Sequence, residues 1–371
     1  MEQESGNTII GFATQGSKGD DEHRLRALLG NLPVSYYPFE KKNKVRNLWN
    51  ILARIRTEQP QLVVMEGTGI VGGLAVILGR TLYRTPYIVS SGDSVGPFIA
   101  QKHPALGLLF HTYEKLLYKR SIGFIGWTPY LTGRALTFGS TYAMTAPGWA
   151  PFELSSEERI RARSVQRARL GIPEDHVVIG LVGSLNWNKR IGYCYGYELV
   201  RAMETVDRDD VTVVIVGDGS GKPHLERLNK SRKVLFTGRV AREEVPSYLA
   251  AMDAASLPQS IDQVGSFRYT TKVSEYLSIG LPIITGTIPM AYDLERNWFY
   301  KIYGDCPWSG SYIAGLASWI NSVSKAEIEE RSRTIPSLIP QFNKQDQVSR
   351  VTEFVQDIIL CANASKGRIS R

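Results

Sequence analysis

Short apolar runs alternate with amphipathic stretches along most of the chain. "TIIGFAT" (8–14), "VSYYPF" (34–39), "QLVVME" (61–66), "PYIVSS" (86–91) and "IGFIGW" (122–127) read as strands. Helical spacing fills the gaps near 20–30, 43–58, 70–83, 102–120 and 129–138. This alternation predicts parallel βαβ units. The strand runs are almost continuously apolar, as expected where both faces of a sheet are covered. The pattern breaks at "APGWAPFELSSEER" (146–159), whose prolines, glycine and charges read as a linker. It restarts with "HVVIGLVGS" (176–184), "VTVVIVGDG" (211–219), "KVLFTG" (233–238), "AASLP" (254–258) and "LPIITG" (281–286). "SKAEIEERSRT" and "QVSRVTEFVQDIILCANA" then predict a helical tail.

The fold class is therefore α/β, with two tandem Rossmann-like doubly wound domains. Residues 1–148 form the first and 149–340 the second, with 341–371 as a C-terminal helix packing back toward the first. Two such halves leave an interdomain cleft at the carboxyl ends of their strands, where open α/β sheets bind ligands.

Composition narrows the classes. Over 371 residues, 43% are hydrophobic and 22% charged, as in a soluble globular protein. No apolar run reaches the ~20 residues that span a bilayer, and "MEQESGNTII" lacks the basic start and apolar stretch of a signal peptide. Cys194, Cys306 and Cys361 are far apart and read as free thiols of a reducing, cytoplasmic compartment. No HExxH or CxxC spacing occurs, so no metal is expected. Net charge is +8, with sixteen Lys/Arg against ten Asp/Glu up to Ala150. Nucleic acid is not the expected partner, because aromatics do not interleave with the basic residues. "KKNKVRNLWNILARIR" (41–56) and "HTYEKLLYKR" (111–120) carry the excess, with Val45, Leu48, Leu52 and Ile55 as an apolar stripe. The ordinary reading is a helix covering the sheet with a solvated basic back. The sharper one is peripheral docking to an anionic membrane leaflet, at its inner face.

The chemistry concentrates in the second half. In "TTKVSEYLSIGLPIITG" (270–286), Thr270 or Thr271 suits the N-cap, Glu275 falls in or just after the first turn, and Gly280 stops the helix. Free amides and the dipole at such a start attract anions, and a carboxylate there suits a ribose diol. The ordinary alternative for Glu275 is a charge complementing the dipole. "GLVGSLNWNKRIGY" (180–193) ends a strand with Gly183 and Ser184, then presents Lys189 and Arg190, cations suited to a diphosphate. A solvated loop is the commoner fate of a lone KR pair. In "LFTGRVAREEVPSYL" (235–249), the backbone of Gly238, Arg239 and Val240 is placed to read a base edge. "VGDGSGKPHL" (216–225) lacks GxGxxG spacing, so Gly217 and Gly219 read as turn glycines.

The ordered set "GSLNWNK", "VTVVIVGDG", "VLFTGRV", "LPQS", "TTKVSEYLSIGLPIITG" resembles the carboxyl-terminal domain of retaining GT-B glycosyltransferases of family four, over roughly residues 165–300. The resemblance implies a lysine at Lys189 neutralising the leaving diphosphate and a glutamate at Glu275 holding the ribose. It implies a base contact from Gly238–Val240 and phosphate contacts from the amides of Thr271–Ser274. Arg268, Thr270, Lys272 and Ser274 complete the expected donor-binding set. It departs twice from that family. Phe267 stands eight residues before Glu275, where a glutamate is frequent, and Ser184 stands where arginine is frequent.

The first half supplies the acceptor side. Gly16, Ser17 and Gly19 form a glycine-rich turn after the first strand, followed by Asp20 or Asp21 as N-cap. Resemblance implies contact with the donor phosphates or sugar. Glu66 and Asp93 follow buried strands; Asp93 is the first choice to orient or deprotonate an acceptor hydroxyl and Glu66 the second. For each alone, an N-cap or turn role is the ordinary reading. His103 and His111 read as surface or packing residues. The function expected is transfer of a sugar from a nucleotide-diphospho-sugar, with no bound cofactor, to an acceptor sugar, lipid-linked glycan or small metabolite. The alternatives are a nucleotide-sugar epimerase of the same shape and a non-catalytic nucleotide-sugar-binding protein.

Overall fold

The computed structural model describes residues 8–268 and 270–369. The chain divides into two compact units. Unit 1 takes the chain up to Gly148, then Phe267–Thr270, and the stretch from Pro340 onward; unit 2 is Trp149–Ser266 with Thr271–Ile339.

Unit 1 is built on β1 (Ile9–Ala13), β2 (Val34–Tyr36), β3 (Leu62–Glu66), β4 (Tyr87–Ser91), β5 (Gly123–Gly126) and β6 (Tyr142–Thr145). All pairings are parallel, in the order β2-β1-β3-β4-β5-β6. The chain reverses direction of travel across the sheet between β1 and β3, so connections leave these strands on opposite faces and open a notch at their carboxyl ends. Ile10, Phe12, Val63, Met65, Val89 and Phe124 fill the core beneath it. The long terminal helix Lys344–Ile369 also belongs to this unit, where Phe354 and Ile358 lie against Gly123 of β5.

Unit 2 repeats the scheme with β7 (Val177–Val182), β8 (Val211–Val216), β9 (Val234–Gly238), β10 (Ala254–Ser256), β11 (Ile283–Gly286) and β12 (Phe299–Ile302). Its order is β12-β11-β10-β7-β8-β9, again parallel, with the reversal between β7 and β10. Val177, Ile179, Leu181, Val211, Val213 and Ile215 are all within a few per cent of full burial. That explains the continuous apolar runs of β7 and β8, which are covered on both faces, while β9 at the edge is mostly half-buried.

The departures from the sequence reading have local causes. β6 and β12 went unpredicted, because each is only four residues, YAMT and FYKI, with neither a continuous apolar run nor a clean alternation to betray it. The single helix expected over 102–120 is two, Val95–Lys102 and Gly107–Arg120, separated by a 3-10 turn that opens on Pro104. The linker is shorter than 146–159, since a helix starts at Ser156. Ser155 Oγ accepts from the Glu158 amide at 3.2 Å and the Glu158 carboxylate accepts from the Ser155 amide at 2.8 Å, a capping box. Val45 does not belong to the buried stripe of its helix: Ile51, Leu52 and Ile55 are buried, while Val45 is 69% exposed.

Unit 2 is pinned at the amino end of its sheet by a buried charge pair. Arg167 is fully buried; its Nη2 donates to Asp253 Oδ2 at 2.7 Å, and the Val178 amide donates to the same oxygen at 2.7 Å. Arg163 pairs with the other oxygen at 2.6 Å. Removing one member strands the rest in a low-dielectric site. Asp253→Ala therefore lowers the unfolding free energy by about 3–5 kcal/mol, read from denaturant titration; a loss below about 1 kcal/mol contradicts the pinning.

Candidate active site

The carboxyl end of unit 2 is shaped by two loops that meet backbone to backbone. After β7 the Gly183 amide donates to Val216 O at 3.0 Å, and the Leu185 amide to Asp218 O at 3.0 Å. The Gly221 amide returns a bond to Leu185 O at 2.7 Å. Gly217 adopts φ +144°, and a Cβ there would stand 1.9 Å from Gly183 O, so only glycine fits. The sequence reading of Gly217 as a turn glycine is correct but incomplete: the residue also admits the β7 loop.

That loop continues into a turn at 188–193. The Asn188 amide donates to Tyr193 O at 2.8 Å, and Asn188 Oδ1 accepts from the Arg190 amide at 3.0 Å. Lys189 and Arg190 ride on this turn, exposed to solvent, and the next helix begins only at Tyr197. Ser184 is also exposed, its Oγ accepting from Asn186 Nδ2 at 2.8 Å. Gly238 has φ +72°, and its carbonyl accepts from the Gly217 amide at 2.9 Å, which sets Gly238–Val240 beside the same pair of loops. Arg239 is exposed there.

Across the switch point, β10 leads to the helix Lys272–Ser278. Thr271 is the N-cap, but no side chain caps the first turn. Ser274 Oγ donates instead to Thr271 O at 2.9 Å. Thr270 Oγ1 is enclosed and has no hydrogen-bond partner among the described residues. Gly280, at φ +70°, ends the helix, with the Leu281 amide reaching back to Tyr276 O at 2.9 Å. Glu275 is buried, at 6% exposure, and pairs with Lys272 Nζ at 2.7 Å. It is thus more than a surface charge complementing a dipole. A carboxylate taken this far out of water needs a cation, and Lys272 supplies it.

Sequence reasoning missed Glu198, the second residue of the helix Tyr197–Ala202. It is fully buried, and accepts from Tyr193 OH at 3.1 Å and Ser256 Oγ at 3.3 Å. Burial pushes its pKa up to about 7, against those two donors. The available signal was a glutamate one place before Leu199 and four before Ala202, both buried, which puts a charge on an apolar face.

In unit 1 the notch between β1 and β3 is filled by Thr14. Its Oγ1 donates to Glu66 O at 3.1 Å and accepts from the Gly69 amide at 3.2 Å. The turn after it carries Gly16 at φ +104° and Lys18 at φ +63°; Ser17 donates its amide to Phe39 O at 2.8 Å. Gly19, not Asp20 or Asp21, is the N-cap of the helix Asp20–Leu28, and the Glu22 carboxylate accepts from the Lys18 amide. Asp21 is partly buried instead. Its pKa is raised by burial, with the Arg24 charge opposing and those of Asp93 and Asp20 adding.

Glu66 is not available as a base. It is 1% exposed and its Oε2 lies 2.8 Å from Arg24 Nη1, while Trp127 Nε1 donates to Oε1 at 3.2 Å. Arg24 also donates to Ser90 Oγ at 3.1 Å and to Ala146 O, and its guanidinium lies 4.4 Å above the Trp127 ring. One arginine thereby ties the carboxyl ends of β3 and β4 to the residue after β6. Arg24 too was missed, although it lies one turn before buried Leu28 on the same helix face. Asp93 remains half-exposed, with Arg268 Nε 3.0 Å from Oδ1. Arg268 is accordingly grouped with Asp93 in unit 1, and so is Phe267. The Phe267 carbonyl accepts from Thr128 Oγ1 at 2.9 Å, and its ring meets Tyr130 edge-on at 6.4 Å. A phenylalanine at this position is an anchor in an apolar setting, which a carboxylate is not.

Residues 176–298, from the start of β7 to the edge of β12, match the family described as glycosyl transferases group 1. The matched segment is about a third of the chain and lies in unit 2 apart from Phe267–Thr270. Lys189, Arg190, Gly238–Val240 and Glu275 all fall within it. The chain is 22% identical over 178 residues to the putative teichuronic acid biosynthesis glycosyltransferase TuaH of Bacillus subtilis. That match spans 47% of this chain and 42% of TuaH, less than half of either. Among solved structures, Anabaena Alr3699/HepE in complex with UDP-glucose superposes with a TM-score of 0.67 at 15% identity, over 95% of this chain and all of that one. A putative UDP-N-acetylglucosamine 2-epimerase from Listeria monocytogenes gives 0.55 at 9% identity, over 93% and 95%. The fold is therefore the two-domain α/β GT-B fold, and since an epimerase resembles it as well, the match to the group 1 family carries more functional information than the fold.

Proposed function

We propose that the protein transfers a sugar from a nucleotide-diphospho-sugar to an acceptor hydroxyl, with retention of anomeric configuration and without a metal. The observation that carries this is the match to the group 1 family, with Lys189 and Arg190 exposed on one side of the switch point and Glu275 on the other. The complex of HepE with UDP-glucose supports the donor class.

In this reading the diphosphate meets Lys189, Arg190, Gly183, Ser184 and the uncapped amides from Thr271 to Ser274. Charge grows on the leaving oxygen as the bond to the sugar breaks, and fixed cations and amides stabilise that charge with little reorganisation. Glu275 accepts hydrogen bonds from the ribose diol while Lys272 shares it. Gly238, Arg239 and Val240 contact the base, and Gly16, Ser17 and Gly19 contact phosphate or sugar. The acceptor oxygen attacks the anomeric carbon on the face the leaving group departs from, and its proton passes to the departing phosphate oxygen. Asp93, steadied by Arg268, orients the acceptor. The frequent glutamate is replaced by Phe267, so the sugar hydroxyls are read by other residues. The acceptor is a sugar, a lipid-linked glycan or a small metabolite.

A nucleotide-sugar epimerase is the second reading, favoured by the likeness to the Listeria protein. It needs no acceptor, so incubation with donor alone separates the two. On the transferase reading, Lys189→Ala and Glu275→Ala each lower kcat/KM for transfer by at least about 100-fold. Single-turnover assays with radiolabelled donors check this; near-intact turnover in both variants contradicts the assignment.

Unit 1 also supports work at the inner face of a membrane. Val45 and Trp49 are 69% and 64% exposed beside Lys41, Lys42, Lys44 and Arg46. An apolar pair ringed by cations suits an anionic leaflet, each cation contributing about 1 kcal/mol. No helix among the described residues is long and apolar enough to cross a membrane. The protein pellets with vesicles containing acidic lipid and Trp49→Ser weakens this several-fold; equal pelleting with neutral vesicles removes the electrostatic component.

A further inference from the structure

Glu198 takes no role in the transfer scheme, yet it joins the parts that do. One of its bonds runs to Tyr193, the residue that closes the turn carrying Lys189 and Arg190. Another runs to Ser256, the last residue of β10 on the far side of the switch point. The Glu275 helix is attached at the same place: Tyr276 OH accepts from the Val182 amide at 3.3 Å and reaches Ser256 O at 3.5 Å. One buried carboxyl therefore holds the cation-bearing turn and the end of β10 in register.

The setting of that carboxyl is unusual. Tyr193 and Cys194 face it from the β7 loop, Tyr276 from the Glu275 helix, and Tyr312 from the helix Gly310–Ser322. Among the described residues no lysine or arginine is paired with it. Burial without a cation disfavours the charged form. The Cys194 thiol beside it is pushed up to about 12, by burial first and by the Glu198 charge second.

We propose that Glu198 is a positioning residue that ties the Lys189–Arg190 turn to the end of β10, and that its neutral form is the state in which a nucleoside diphosphate is held most tightly. This deepens the donor site and rests on the transferase reading. When the carboxyl ionises, a buried negative charge appears behind the turn and opposes the bound anion. The direction follows from the shift. The ordinary value is 4.5 and the folded value about 7, so the neutral form persists to neutrality. Diphosphate affinity and folding stability both fall as pH rises toward and through about 7.

Calorimetric titration with uridine diphosphate tests this at about pH 6 and about pH 8. The wild type loses affinity several-fold between them, whereas Glu198→Gln keeps its acid-side affinity at both. Tyr193→Phe, which leaves the carboxyl but cuts its link to the turn and removes a donor to the charged form, binds more weakly than wild type at the acid pH and moves the midpoint to higher pH. Ser256→Ala removes a donor to the charged form and moves the midpoint to higher pH, a readout that stands if Glu198→Gln does not fold. A Glu198→Gln slope equal to wild type, Tyr193→Phe binding like wild type, or an unmoved Ser256→Ala midpoint overturns the proposal. A wild type that binds none of the uridine, guanosine and adenosine diphosphates at either pH overturns the donor reading and this inference with it.

Discussion

In unit 2, adjacent parallel strands β7 and β10 send their chains to opposite faces of the sheet, and the chemistry depends on what this leaves between them. Such a divergence opens a notch at the carboxyl ends of the strands. Here the notch is bordered by backbone: the loop after β7 lies on the loop after β8, an approach that Gly217 permits because any Cβ would strike Gly183 O at 1.9 Å. The proposed function adds to this border the exposed cations Lys189 and Arg190 and the buried carboxylate Glu275. Each is an ordinary element of α/β folds, and strand order places their loops on the two sides of the switch point.

Burial of charge is the second constraint, handled in three ways. Asp253 shares its oxygens with two arginines and an amide, which makes it structural. Glu66 is matched by Arg24, and the pair fastens the carboxyl edge of unit 1. Glu198 has hydroxyl partners and, among the described residues, no paired cation, and burial pushes its pKa up to about 7. The same residue type therefore acts as a pin, a clamp and a titrating strut, according to whether a guanidinium reaches it.

Much of the architecture was legible in the sequence because the central strands of both sheets are buried on both faces. Ten of the strands announce themselves as apolar runs between turn residues, and only the edge strands β6 and β12 escape. The helix carrying Glu275 was legible from its threonine start and Gly280 stop, and the loop carrying Lys189 and Arg190 from the Gly183–Ser184 end of its strand. Glu66 was legible as a strand-end carboxylate but not as an occupied one, since Arg24 is 42 residues away in sequence. Glu198 and Phe267 were opaque for a related reason. What each does is decided by residues from other elements, namely Ser256 and Tyr193 for one, Thr128 and Tyr130 for the other. Local pattern reports which element a residue belongs to; long-range pairing decides its chemistry.

The central claim is that an anion is gripped at the opening between β7 and β10. Backbone hydrogen exchange, followed by mass spectrometry with and without saturating nucleoside diphosphate, tests it most directly. The account predicts slowed exchange in segments 183–193 and 271–275, with the amino end of the same sheet around Asp253 unchanged. Protection elsewhere, with both segments exchanging as in the free protein, would contradict it.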